Sequence, residues 1–340
     1  MMRELRYLSQ RLGRLLLILF GLSAIIFSVA RLVPGDPARI ALGPLASEQQ
    51  ISDLRSKMGL DKPAPEQYLR YIGGVLHGDF GQSLLTGRSV ALDIRQALPA
   101  TLELVLFTLL LMMLIAIPLG VLAAWQQNGW FDQLSRILSL LGVVTPAFLL
   151  ALILQLLASL NWFALPVTER LSSGLHFDAR VSGLLLVDSL LARRWEVFSD
   201  AAKHLVLPGF ALAAAGIGQV MRITRSSMIE FSHRDHVETL RACGVSKSKI
   251  YGKYLLRLSA SAPLTILGLE FASLIGNAFI VEMVFSWPGM ASYGIRAILS
   301  KDFNAVMGVV LVSGVFFIVA NLLIDFVVSL VDPRLKYKGV

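Results

Sequence analysis

Six long apolar runs divide the chain, at residues 15–33, 104–125, 137–160, 205–221, 264–285 and 305–330. Each is about as long as a helix needs to cross a ~30 Å hydrocarbon core. The pattern predicts an all-α polytopic membrane protein with six transmembrane helices. The first run follows Arg3, Arg6, Arg11 and Arg14, as the core of a signal peptide would. It is too long for one and lacks a small-x-small cleavage pattern, so a retained helix is expected. The last run carries Asp325 near one end, where a carboxylate costs less than at the centre.

The polar stretches have patterns of their own. In the first, "ASEQQISDLRSKMGLDKP" predicts a short amphipathic helix. Ser47 and Gln50 have capping-box spacing, Ile51, Leu54 and Met58 form one face, and Gly59 ends it. "APEQYLRYIGGVLHGDFGQS" predicts a second, with Tyr68, Leu69, Ile72 and Leu76 apolar. Between the third and fourth runs, "VSGLLLVDSLLARRW" is apolar but short and ends in Arg193 and Arg194. It reads as a surface or interfacial helix rather than a further span. Trp287, in "SWPG", is expected in the interfacial aromatic belt.

The stretch between the fourth and fifth runs contains "SHRDHVETLRACGVSKSKIYGKYL", residues 232–255. Ser232 has the spacing to cap a helix with Asp235 as its reciprocal partner. Val237, Leu240 and Gly244 fall near one face, and Glu238 can pair with Arg234 or Arg241. Gly244 suits a left-handed stop, and Ser246 can cap a second helix through Ile250 and Leu255. The first helix would be ~16 Å long. Its apolar side needs a partner.

Composition agrees with a membrane protein: 55% of the 340 residues are apolar, 16% are charged, and mean hydropathy is +0.68. The net charge of +8 is explained by sidedness, not by nucleic acid, since basic and aromatic residues are not interleaved on one face. With the N-terminus inside, residues 1–14, 126–136, 222–263 and 331–340 hold 16 Lys and Arg against 6 Asp and Glu. The outer segments are nearly twice as long yet hold 15 Lys and Arg. The positive-inside rule therefore predicts cytoplasmic N- and C-termini, and residues 222–263 become the longest cytoplasmic loop. Cys243 is the single cysteine, so no intrachain disulfide is possible, and no His/Cys cluster suggests a metal. There is no G-x-x-x-x-G-K-[ST] phosphate loop, so any ATP must be hydrolysed by another chain.

"DHVETLRACGVSKSKI" resembles the EAA loop of binding-protein-dependent ABC importers, with Glu238 at the motif's Glu and Gly244 at its Gly. Thr239, Leu240 and Cys243 depart from the usual residues there, and Pro263 is displaced by one place. "RLVPGDPARI", "MGLDKPAPEQYLRYIGGVLHGDFGQSL", "LPATLEL", "IPLGVLAA", "KHLVLPGFAL", "RITRSSMIE", "VEMVFSWPGM" and "NLLIDFVVSLVDPRLK" follow in order. Together they resemble the B-type permease of dipeptide, oligopeptide and nickel importers. The resemblance implies a type I importer permease fold in the bacterial inner membrane. The cytoplasmic segment 1–14 and first span lead to an extracytoplasmic loop 34–103. The permease core is then 104–340, with outer loop 161–204 and coupling loop 222–263. It implies a C-type permease, two ABC ATPase subunits and an extracytoplasmic binding protein as partners, besides membrane lipid. ATP and Mg would sit on the ATPases, with no cofactor, metal or catalytic residue in this chain. It also implies that Asp235, Val237, Glu238, Arg241, Ala242, Gly244 and Ser246 form the ATPase-coupling element.

Several polar residues fall inside the runs: Glu103, Gln219, Glu270, Asn277, Glu282, Asn321 and Asp325. Intramembrane carboxylates face a bundle interior or an aqueous path. Glu270 and Asn277, about two turns apart, are the first candidates for a translocation path, with Gln219 and Glu282 beside them. Inter-helix hydrogen bonding is the competing role, and the stronger one for Glu103, Asn321 and Asp325. A stand-alone ion-coupled transporter would use Glu270, Glu282 and Asp325 as a proton relay, but no inverted repeat is evident. An intramembrane enzyme lacks any supporting motif. Substrate rests on the resemblance alone: a dipeptide or oligopeptide, with nickel or metallophore complexes and opines as alternatives.

Overall fold

A computed structural model of the chain describes residues 2–32, 37–43, 45–57, 59–178 and 181–331. Side chains are described for all of these except 2–12, 14, 16, 31, 32, 37, 41 and 325–331. The described residues are helical, with an isolated bridge between Gln82 and Ser89 and no strand. Met58, the side chain of Asp325 and the predicted tail from 332 onward lie outside them. The fold divides into two compact units, residues 1–100 with 288–318 and residues 101–287 with 319–340.

The first unit holds α1 (Met2–Leu32), α2 (Pro37–Leu42), α3 (Glu48–Lys57), α4 (Ala64–Leu76) and the start of α5 (Val90–Trp125). Ser47 and Gln50 form the expected reciprocal cap on α3, with bonds of 2.9 and 3.2 Å, and Gly59 has a positive φ of 66°. Helix α4 docks on α1 through Tyr68, whose ring lies edge-on to Phe20 and Phe27 and whose hydroxyl meets Ser23 Oγ at 2.7 Å. Leu69 and Leu76, expected on the same apolar face, point outward and are exposed.

The second unit is built around one helix. It contains the rest of α5, then α6 (Trp130–Val144), α7 (Ala147–Ser159), α8 (Leu185–Leu191), α9 (Trp195–Ser232) and α10 (Asp235–Ala242). After α10 come α11 (Lys247–Lys249), a π-helical turn at Ile250–Leu255, α12 (Leu256–Ser259) and α13 (Ser261–Val284). The remaining helices, α14 (Met290–Leu299) and the start of α15 (Phe303–Val331), return to the first unit.

Helices α5, α9 and α13 and the described part of α15, Phe303–Ile324, are each long and apolar enough to cross a membrane. The run at 137–160, expected as one straight span, is instead the pair α6 and α7, bent by 103°. The cause is local. Pro146 has no N–H to give and forces Thr145 out of the helical region, where it adopts φ −77° and ψ 119°. In α1 the apolar stretch Leu17–Ala30 is shorter than a full crossing among the described residues. The apolar segment around 185–191 is the seven-residue α8, far too short to span.

Close approach holds α9 at the centre of this unit. A Cβ built on Gly218 would meet Ser139 O of α6 at 2.5 Å, and one on Gly142 of α6 would meet Ala214 O at 2.6 Å. On another side, a Cβ on Gly216 would meet the Met112 side chain of α5 at 2.4 Å. Ser139 Oγ donates to Gly218 O at 2.5 Å, which such contact makes possible. Gly218→Ala is expected to push α6 off α9 and cost about 1–3 kcal/mol. Gly276→Ala enters open space and is expected to change nothing. Thermal unfolding in detergent, followed by circular dichroism, compares the two.

Candidate functional site

The predicted coupling segment folds into α10, eight residues and about 12 Å long. It begins later than expected. Ser232 does not cap it: α9 continues helically through Ser232, whose Oγ donates back to Ile229 O at 2.8 Å. Arg234, in extended conformation, is the residue before the first turn. Its guanidinium lies 4.4 Å from the Phe231 ring and 3.4 Å from Glu230, so the expected Arg234–Glu238 pair is replaced by contacts back to α9. Asp235 and Glu238 stand in the first turn and Arg241 in the last, in the sense the helix dipole favours.

The end of α10 follows the expected pattern closely. Gly244 has φ 75°, its N–H donates to Arg241 O at 3.0 Å, and Val245 N–H donates to Leu240 O at 3.0 Å. This is the paired bonding of a Schellman stop, with Val245 and Leu240 as its hydrophobic contact. Ser246 holds the position before α11 in extended conformation, but its side chain makes no capping bond.

The apolar side of α10 is already covered by the chain itself. Val237 is fully buried in a cluster with Ala124 of α5, Met228 of α9, and Ile250, Tyr251 and Leu255 of the π-helical turn. Leu240 and Val245 pack on its edge, and the Trp125 and Tyr251 rings stack at 6.2 Å. Val237 is thus a packing residue within this chain, unlike the other six coupling candidates. Asp235, Glu238, Arg241, Ala242, Gly244 and Ser246 are all exposed, around Cys243, which is exposed too.

A neighbouring cluster was not singled out from the sequence. Asp132, in the first turn of α6, is fully buried. It takes a two-pronged contact from Arg225 of α9, through Nε to one oxygen and Nη2 to the other, the latter at 2.8 Å. Arg136 Nη2 approaches the same carboxylate at 2.8 Å, and Asn128 N–H donates to it at 2.9 Å. Asn128 is held at φ 64° to do so. The local signal was a charge at the edge of each apolar run. Their pairing spans 93 positions, beyond any helical periodicity.

The candidate path residues separate. Glu282 is fully buried and accepts from Thr101 of α5 at 2.6 Å, a helix-to-helix lock. Glu270 is half-buried and faces α9, where a Cβ on Gly216 would lie 3.3 Å from its Oε2. Asn277 is exposed on α13, in a mixed stripe with Thr265, Leu269, Ser273, Gly276, Ile280 and Met283. Gln219 on α9 is half-buried. Glu103 pairs with Arg170 at 2.5 Å and accepts from Leu186 N–H at 2.6 Å, an inter-segment role. Trp287, expected in the aromatic belt, is buried beneath Arg170, which lies 5.8 Å from its ring, and its backbone N–H donates to the Glu282 carbonyl. Among the described residues no His/Cys/Asp/Glu group has the arrangement of a metal site.

Residues 116–337 match the family model of the binding-protein-dependent transport system inner membrane component. Residues 4–105 match the model of the N-terminal part of such membrane components. The chain is 40% identical over 332 residues to the probable D,D-dipeptide transport system permease protein DdpB of Escherichia coli (strain K12), covering 98% of each chain. It is 36% identical over 333 residues to the dipeptide transport system permease protein DppB of Alkalihalophilus pseudofirmus, covering 98% of this chain and 100% of that one. It is 33% identical over 335 residues to the di/tripeptide transport system permease protein DppB of Pseudomonas aeruginosa, covering 98% and 99%.

Three substitutions separate the base of α10 from its exposed face. Val237→Ala is expected to cost about 2 kcal/mol of stability, and Gly244→Ala about 1 kcal/mol through its left-handed backbone. Glu238→Ala is expected to leave the unfolding midpoint where it is. Denaturation of the purified chain in detergent measures all three.

Proposed function

The chain belongs to the inner membrane components of binding-protein-dependent transport systems, and from that membership we propose that it imports small peptides, dipeptides first. It is a multi-pass permease subunit of an ABC importer and not itself an enzyme. A substrate-binding protein and ABC partners belong to such a system. The peptide assignment is supported by the relatives just described, whose names give D,D-dipeptide, dipeptide and di/tripeptide transport. Nickel or metallophore complexes and opines are the competing cargo.

In the proposed assembly a C-type permease pairs with this chain, and two ATPase subunits bind on the cytoplasmic side, holding ATP and Mg. Both termini face the cytoplasm, as the Lys and Arg distribution favours. The observation that carries the coupling role is α10: a short, capped helix with its apolar side buried and its polar face exposed. The exposed Asp235, Glu238, Arg241 and Ala242 stand on a face of fixed orientation, which a docking partner can use. An ATPase groove docked there would move α10, and its buried base would pass the movement to α5, α9 and α13. The core then switches as a bistable body between outward and inward openings.

The exposure of Asn277 supports a path role for it, with the half-buried Glu270 and Gln219 as the other candidates. The stripe around it is mixed, with Leu269, Ile280 and Met283 exposed beside Thr265 and Ser273, and suits the face of a second permease better than a wholly aqueous path. Glu282 and Val237 fall outside the proposed sites, since each is committed to packing within the chain.

Reconstitution with the partner subunits tests this reading. Uptake of labelled D-alanyl-D-alanine or L-dipeptides is expected to need both ATP and the binding protein, and to resist a nickel–chelator competitor. Glu238→Arg is expected to lower uptake about tenfold while ATP hydrolysis continues, a typical size for coupling between sites. Uptake driven by an ion gradient in the chain alone would contradict the proposal.

A further inference from the structure

We propose that Asp132 and Arg225 form a positioning clamp that makes the bent pair α6–α7 move with the coupling helix. The proposal rests on the coupling role of α10 given above. It starts from the way α5 turns into α6. The last turn of α5 is fixed to the base of α10: Ala124 lies in the buried cluster with Val237 and Met228, and Trp125 stacks on Tyr251. The turn after it is tight, with Gly129 N–H donating to Gln126 O at 2.7 Å and Asn128 in a left-handed conformation. Asp132 closes that turn by accepting from Asn128 N–H, and then reaches across to Arg225.

Arg225 stands one turn before Met228 on the same helix, so it sits directly behind the α10 base. A shift of α10 that moves Met228 moves Arg225 as well. Because the guanidinium holds both carboxylate oxygens, it resists rotation as well as separation, which a lysine ammonium could not do. The carboxylate is fully buried and Arg225 is partly buried, so loss of the guanidinium leaves a buried charge with the largely exposed Arg136 as its remaining charged partner. The remaining contacts of α6 to α9, the backbone approaches at Gly218 and Gly142 and the Ser139–Gly218 bond, lie further along the helix. The clamp fixes the end of α6 nearest α10, and through α6 the break at Thr145–Pro146 and α7 beyond it.

Removing the clamp is therefore expected to change how well ATP use is converted into transport, rather than whether either occurs. The test uses the reconstituted complex with its binding protein, ATPases and labelled dipeptide. Arg225→Gln removes the charge, and Arg225→Lys keeps the charge without the fork. Two readouts are taken. One is dipeptide taken up per ATP hydrolysed. The other is the spin-label distance between Leu138→Cys on α6 and Ser248→Cys beyond α10, in a Cys243→Ser background.

Uptake per ATP is expected to fall about tenfold in the Gln variant, within the usual span of coupling between sites, and two- to threefold in the Lys variant. The distance distribution should broaden in the same order. The Lys variant keeps the test open if the Gln variant does not assemble. Lys-variant complexes with the wild-type ratio and a narrow distance overturn the clamp. So does a lowered ratio with an unchanged distance. If the wild-type complex itself fails to use ATP for dipeptide uptake, it is the importer reading that falls, while the distance measurement still judges the clamp.

Discussion

Helices in a membrane gain little by hiding apolar surface from one another, because lipid is as apolar as leucine. What holds them is close approach and the hydrogen bonds that close approach allows. In this permease α9 supplies both. Gly218 lets α6 come within backbone contact, Gly209 and Gly216 admit side chains of α5, Ser139 donates to the Gly218 carbonyl, and Arg225 binds the buried Asp132. Substituting leucines along these faces would keep α9 apolar and still lose the bundle. Large exposed hydrophobics crowd the outer faces of α5, α6 and α7, and occur on α1, α13 and α15 as well, where lipid is their natural neighbour.

That arrangement determines what the polar segment between α9 and α13 can do. Eight residues of helix could not hold a shape alone. The Val237 cluster and the Schellman stop at Gly244 give α10 a fixed orientation on three other segments, and its charged face is left outward. The membrane helices and the exposed face are joined by packing over a very short distance. Little is lost between a push on α10 and a tilt of the helices under it, which is the mechanical requirement of a coupling element.

The local grammar of the chain was legible from its residues. The Ser47–Gln50 cap, the stops at Gly59 and Gly244, and the four long apolar helices all follow from short-range rules that the structure obeys. The bend between α6 and α7 was legible too, since Pro146 and the residue before it carry the instruction, but the hydropathy of 137–160 runs through it without interruption. What local pattern could not reach was pairing across long separations. Ser232 looks like a cap until α9 is known to run through it. Glu103 takes the hydrogen-bonding role its place suggests, but its partner Arg170 is 67 positions away, and Trp287 looks like a residue of the interfacial belt until Arg170 is found over it. Val237 looks like a docking residue until Met228 and Ile250 are found over it.

The central claim is that the outward face of α10 is where the ATPase binds, and that its inward face is not. Photo-crosslinking amino acids placed one at a time at positions 237, 238, 241 and 242 in the assembled complex test this directly. Crosslinks from 238, 241 and 242 to an ATPase subunit are expected, with 237 reacting only within its own chain. Capture of the ATPase from 237, or no capture from the other three, would contradict the claim.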